Sequence, residues 1–152
     1  MSIKSKDEKV GISVMATAPK THKPLKSGTP RQEYDKRRGS AVERGYDWDW
    51  HKRRKWYANR HPLCEDCEVR GLTVMVDEVD HVIPINGKHD RLRLDTHNLR
   101  SRCKACHTRK TRMDAWIRGA YESLIRGGME YEQARDVTVA RAEIEQNGWG
   151  AK

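Results

Sequence analysis

Phenylalanine is absent from this chain of 152 residues, and hydrophobic residues of all kinds make up only 36% of it. Burial of apolar surface is therefore a thin basis for a fold of this length, and a cross-link or metal is expected to compensate. No apolar run reaches the roughly 20 residues a membrane helix needs, and the opening MSIKSKDEKV lacks the apolar core of a secretory signal. These absences point to a soluble protein of the cytoplasm with no membrane partner. Proline is scarce as well, with five in all, three of them (Pro19, Pro24 and Pro30) in the first 30 residues. Lys, Ser, Thr and Gly prevail there without an apolar period, so residues 1–37 are expected to form a basic, disordered arm.

What is present in excess is positive charge, 31 Lys and Arg against 22 Asp and Glu for a net +9. The excess is zoned. Residues 31–60 and 100–112 are strongly basic, and the stretch between them leans acidic, as a polyanion-binding face around a cation-binding site would require.

The four cysteines are Cys64, Cys67, Cys103 and Cys106, two C-x2-C knuckles with 35 residues between them. Two intervening residues let both thiolates of a knuckle turn to one ion, and two knuckles complete a tetrahedral structural zinc site closed to water. A pair of disulfides is the alternative, disfavoured in a reducing compartment.

The remaining pattern divides the chain into an α+β arrangement. Trp48, Trp50, Trp56 and Tyr57 alternate with Lys52, Arg53, Arg54 and Lys55 in a stretch of helical composition that should end before His61-Pro62. Residues 73–79 have the β-branched content of a short strand leading into Asp80-His81, and a second strand is expected at 98–102. Between them Pro84, Asn86-Gly87 and mixed charges mark a loop. A helix should begin inside the second knuckle, carry His107 on its first turns and stop at Gly127-Gly128. A final helix is expected over 130–146, with Ala134, Val137, Ala140 or Arg141, and Ile144 near one face.

Read in order, CEDC, VDHVIP, THNL and CKACHTRKT place Asp80-His81, Asn98 and His107 between and beside the knuckles. This order resembles the His-Asn-His motif of the HNH (ββα-metal, or His-Me finger) endonucleases in their zinc-stapled form. The segment RGSAVERGYDWDWHKRRKWYANRHPLC (38–64) is also similar to the lead-in of phage HNH nucleases encoded beside terminase genes, so the resemblance spans about Arg38 to Asp114. It implies a ββα-metal finger at 38–114 followed by a helical extension at 115–152. It also implies His81 as general base, Asn98 as brace of the loop, and Asp80 with His107 as ligands of a catalytic divalent ion.

Those residue types suit the chemistry. A phosphodiester repels hydroxide, so water must be deprotonated locally and the charge building on oxygen neutralised. An imidazole held in one tautomer does the first near neutral pH. One carboxylate and one imidazole suit Mg²⁺ and bind Mn²⁺, Co²⁺ or Ni²⁺ at least as well.

Arg100, Arg102, Lys104, Arg109, Lys110 and Arg112 flank this motif with no acid among them, and Arg53 and Arg54 form a second basic group. All eight are expected to contact the phosphates of double-stranded DNA. The tryptophans between 44 and 57 are read mainly as packing residues, His89 as a surface residue, and His97 as a group behind the site or a mere neighbour of Asn98. The resemblance further implies action with a phage terminase large subunit and portal in DNA packaging. A host or defence nuclease and a non-catalytic zinc-stapled DNA adaptor are the alternatives, and monomer and dimer both remain open.

Overall fold

A computed structural model describes residues 29–148, so the expected arm falls outside it up to residue 28, as do residues 149–152. The end of the arm is helical. Thr29 and Gln32 form a reciprocal capping box with Pro30 in the first turn, and helix α1 runs over Pro30–Arg38, a combination that starts a helix without tertiary help.

Helix α2 (Trp48–Arg60) begins at Asp47, whose carboxylate accepts from the Trp50 amide at 3.2 Å, and it ends ahead of Pro62 as expected. The short helix α3 (Glu65–Glu68) is the turn of the first knuckle. Strands β1 (Glu78–His81) and β2 (Leu99–Arg102) pair antiparallel with Asp80 opposite Arg100 and His81 opposite Leu99. Between them lie two 3-10 turns, Arg91–Arg93 and Thr96–Asn98. Helices α4 (Lys104–Thr111), α5 (Asp114–Arg126) and α6 (Tyr131–Gly148) follow. The resulting α+β fold is a ββα finger with flanking helices.

Three expectations are corrected in detail. The strand begins at Glu78 rather than Thr73, because the earlier residues pair elsewhere. The Cys64 amide donates to the Val74 carbonyl and the Val76 amide to that of Pro62, so 74–76 lock the knuckle entrance instead of extending the sheet. The helix from the second knuckle breaks after Thr111, where the amides of Arg112 and Met113 bond back only three residues and Met113 packs against the apolar cluster. Helix α6 buries Ala134, Thr138, Val139 and Ala142, while Val137 and Ile144 stay exposed. The buried face is thus made of smaller residues, with Thr138 satisfied by donating its hydroxyl to the Ala134 carbonyl at 2.7 Å.

The core has three parts. Val82, Ile83 and Leu92 of the inter-strand loop pack with Ile117, Tyr121, Ala134, Val139 and Ala142 of α5 and α6. Trp50 and Tyr57 of α2 pack on Val79 and Leu99 of the sheet. The third part is the four cysteines. Among the described residues no helix is long and apolar enough to cross a membrane.

Candidate metal centre and active site

The two knuckles converge. Each cysteine offers a sulfur within 4.8 Å of the other three, and all four residues are buried. Cys67 Sγ lies 3.9 Å from Cys103 Sγ and 3.7 Å from Cys106 Sγ, close to the roughly 3.8 Å edge of a tetrahedron built on ~2.3 Å zinc–sulfur bonds. Burial first, and the neighbouring sulfurs second, push the Cys106 thiol up, so four thiolates coexist here only against a cation. The donor set fits a structural metal. Arg70 adds a positive group from outside, donating to Cys67 Sγ at 3.3 Å and Cys106 Sγ at 3.1 Å.

The knuckles are tied to the sheet by charge. Glu65 accepts from the Ser101 amide at 2.6 Å, Asp66 pairs with Arg102 at 2.8 Å, and Asp77 accepts from the Lys104 amide at 2.8 Å, capping α4. Metal binding at the sulfurs therefore fixes both strands and the start of the helix that carries His107.

Strand alternation puts Asp80 on the α4 side of the sheet and His81 on the α2 side. Asp80 Oδ2 lies 3.3 Å from both Arg102 Nη1 and Lys110 Nζ. Its other oxygen accepts from the His81 amide at 2.8 Å and lies 4.0 Å from His107 Nε2. Two atoms at that distance can share an ion, since a divalent cation sits about 2.0–2.2 Å from oxygen or imidazole nitrogen. His107 Nδ1 faces Glu78 Oε1 at 3.7 Å, which turns Nε2 toward Asp80.

His81 is 3% exposed and stacks on Trp50 with ring centroids 4.3 Å apart. Its Nε2 lies 2.9 Å from the Arg93 carbonyl. A carbonyl only accepts, so Nε2 carries the hydrogen and Nδ1 the lone pair. Burial outweighs the Arg93 carbonyl and the Asp80 charge and pulls the imidazole below its ordinary pKa. Arg93 is fixed in turn, its guanidinium 2.6 Å from Asp47, the cap of α2. Where the chain enters α2, Gly45 (φ 92°) crosses so close to Arg93 that a Cβ would lie 2.8 Å from its Cδ.

Asn98 is fully buried, and its side chain spans the inter-strand loop. Oδ1 accepts from the Ile83 amide at 2.8 Å, while Nδ2 donates to the carbonyls of Ile83 at 3.0 Å and Leu92 at 3.3 Å. Asp90 and Asp95 close the same loop against the C-terminal helices, through Arg118 of α5 and through Arg135 and Tyr131 of α6.

The basic residues part company. Arg102 is 0% exposed between Asp66 and Asp80, and Lys110 is 2% exposed between Asp80 and Asp114 at 2.8 Å. Both are internal ion-pair partners rather than surface groups, which corrects their expected place on a DNA-facing surface. Arg100 is partly buried and committed to Glu143 and Glu65. Lys104, Arg112 and Arg54 are exposed, and Arg109 and Arg53 half-buried. Sequence reasoning passes over Arg93, Glu78 and Arg70, whose roles rest on a backbone carbonyl, a contact with His107 of α4 and a sulfur contact. It also left unseen that Trp50 packs on His81; the adjacent run of aromatic and basic residues was the available signal.

A ββα finger with a buried four-cysteine cluster able to hold a metal, and with Asp80 and His107 meeting on one side of its sheet and His81 on the other, is the arrangement of an HNH-type finger. Residues 64–113 match the HNH endonuclease family. The solved HNH endonuclease of the deep-sea thermophilic bacteriophage GVE2, determined with a manganese ion, is 31% identical over 55% of this chain and 94% of that one, with a TM-score of 0.43. The chain belongs to the HNH endonuclease family. No curated protein matches it.

Proposed function

We propose that the chain is a divalent-metal-dependent endonuclease that hydrolyses phosphodiester bonds of double-stranded DNA. In this reading His81 is the general base, Asp80 and His107 hold the catalytic ion, Asn98 braces the loop, and Cys64, Cys67, Cys103 and Cys106 hold structural zinc. The observation that carries it is the approach of Asp80 Oδ1 and His107 Nε2 to 4.0 Å beside an imidazole confined to one tautomer. The pair suits Mg²⁺, Mn²⁺, Co²⁺ or Ni²⁺, and such an ion, when bound, supplies neutralisation of the charge on the phosphoryl oxygen and on the leaving 3′ oxygen.

The rest is work for side chains. His81 Nδ1 takes a proton from water, the oxygen attacks phosphorus, and the bond to the 3′ oxygen breaks with its electron pair staying on that oxygen. The imidazolium so formed keeps its Nε2 donor on the Arg93 carbonyl. Its ring is prevented from turning by the Trp50 stack. Lys104, Arg109, Arg112, Arg53 and Arg54 remain the phosphate contacts, with Arg100 contributing less because Glu143 and Glu65 already engage it.

Plasmid nicking with Mg²⁺, Mn²⁺ or EDTA tests the assignment. His81→Ala should cut about 100-fold or more slowly while binding DNA as the wild type does, and equal cleavage by both proteins would refute the base. The similarity of residues 38–64 to nucleases encoded beside terminase genes, together with a phage relative, supports action with a terminase large subunit and portal in DNA packaging. Purified terminase should then alter the rate or position of cutting, and its having no effect would remove that role without touching the nuclease assignment.

A further inference from the structure

Helix α2 has two working faces. The inner face carries Trp50 and Tyr57 to the sheet, whereas Trp48, Lys52, Trp56 and Arg60 recur every fourth residue and lie on one outer stripe. Trp48 is 71% and Trp56 41% exposed, so neither ring serves the core. The Lys52 ammonium sits 5.3 Å from the Trp48 ring and the Arg60 guanidinium 4.3 Å from the Trp56 ring, with Arg53 also over Trp56 at 5.5 Å. Each indole is therefore backed by a cation. Trp56 borders two adjoining grooves, a smaller one that runs between Lys52, Arg53 and Leu94 with Asp49 in its wall, and a larger one past Arg60 whose carboxylates, Glu65, Asp66, Asp136 and Glu143, leave it unsuited to phosphate. A bound strand would therefore keep to the stripe and the smaller groove.

We infer that this stripe is a binding platform for unpaired DNA, on which splayed bases stack against Trp48 and Trp56 while Lys52, Arg53 and Arg60 hold the phosphates between them. Alternating π-faces and cations along one exposed stripe suit single-strand binding, because every base has a π-face and every linkage a charge. The spacing selects against a duplex. Eight helical residues separate the two rings by about 12 Å along the axis, more than three times the ~3.4 Å rise between neighbours of a duplex strand. Bases that reach both rings must be drawn apart. Leu94 follows directly on Arg93, whose carbonyl holds His81, so a strand on the platform passes the loop that supports the imidazole. The inference rests on the nuclease reading for its biological sense, and it adds that the preferred substrate contains a junction between paired and unpaired DNA.

The test separates the two readings by measuring binding in EDTA, where nothing is cut. Fluorescence anisotropy would compare a labelled oligonucleotide with an unpaired tail, the tail alone and a blunt duplex, using wild type, Trp48→Ala/Trp56→Ala and Trp48→Tyr/Trp56→Tyr. The alanine pair should lose tenfold or more in affinity for both unpaired probes and less than twofold for the duplex, and the tyrosine pair should keep most of it. In Mg²⁺ the alanine pair should still nick supercoiled plasmid. Equal losses on duplex and tail, or no loss on the tail, would overturn the platform. So would wild-type protein that fails to bind the tail, an outcome that would assign the stripe to a protein partner. Loss of plasmid nicking by His81→Ala but not by the tryptophan pair leaves the nuclease reading standing whichever way the binding falls.

Discussion

The hairpin that carries His81 is held from two sides by different physics, its strands by the knuckles and its loop by the C-terminal helices. On the side of the knuckles, four sulfurs and a few ion pairs carry the structure, and the chain leaving the first knuckle keeps Leu72, Val74 and Met75 exposed. On the side of α5 and α6 an apolar cluster closes over Val82, Ile83 and Leu92, and carboxylates of the loop reach Arg118 and Arg135. One side rests on a four-cysteine cluster able to hold a metal, and the other on many small contributions. A sequence without phenylalanine and with little apolar material thus concentrates what it has on one side of its site and leaves the other to thiols suited to an ion.

The comparison predicts unequal responses. Cys64→Ser should have the largest effect, because the free energy of structural zinc is folding free energy, about 10 kcal/mol or more in small domains. Loss of bound zinc in metal analysis and a melting temperature lowered further than in any other variant, with helical signal from α5 and α6 retained, are expected, and a variant that melted like the wild type with its zinc intact would dissolve the contrast. Ile117→Ala should cost about 2–5 kcal/mol through the cavity it leaves while zinc stays stoichiometric, which denaturant melts and metal analysis together would show. Asn98→Ala acts where the halves meet. Leaving the Ile83 amide unpaired inside should cost about 1–3 kcal/mol and slow cleavage as well, so unchanged melting would mean that the loop is held without it.

Acid supplies the smallest and most selective perturbation. For Asp90 and Asp95 burial acts to raise the pKa, but backbone amides with Arg118 in one case, and Arg135, the His97 amide and Tyr131 in the other, outweigh it and hold both below the ordinary carboxylate range. A depressed carboxylate contributes stability that is complete above its unfolded value near 3.8 and lost as pH falls through the lower folded value. Thiolates give up their ion on protonation, so a titration followed by zinc release and by helical circular dichroism should show the ion leaving at higher pH than α5 and α6 unfold. Release in the reverse order would break the comparison.

What could be read from the residues alone follows the same division. The knuckles, the order of Asp80, Asn98 and His107, the helix over 48–60 and the stop at Gly127-Gly128 were legible because each depends on local spacing or local backbone chemistry. The strand start was misplaced because residues 74–76 pair with 62–64, a choice made by tertiary register. On helix α6 the expected face keeps Ala134 but not Val137 or Ile144, because close packing against its neighbours is made by Ala134, Thr138 and Ala142. Arg102 reads as a DNA contact because its carboxylate partners, Asp66 and Asp80, lie 36 and 22 residues away. Lys110 has Asp114 four residues on, but its burial depends on Asp80 as well, which the local pattern does not bring near.

Asp47, Trp50, Arg93 and His81 close a ring: the Asp47 carboxylate caps the helix at the Trp50 amide and grips Arg93, the Arg93 carbonyl grips the imidazole, and the imidazole lies on the indole. Half of that ring precedes the segment by which the family is recognised, residues 64–113. A fragment trimmed to the signature would retain Asp80, His81, His107 and the four cysteines, yet its imidazole would lose both the indole beneath it and the Asp47 grip on Arg93. The unit that holds His81 in its pose is accordingly longer at its front end than the motif that identifies the family.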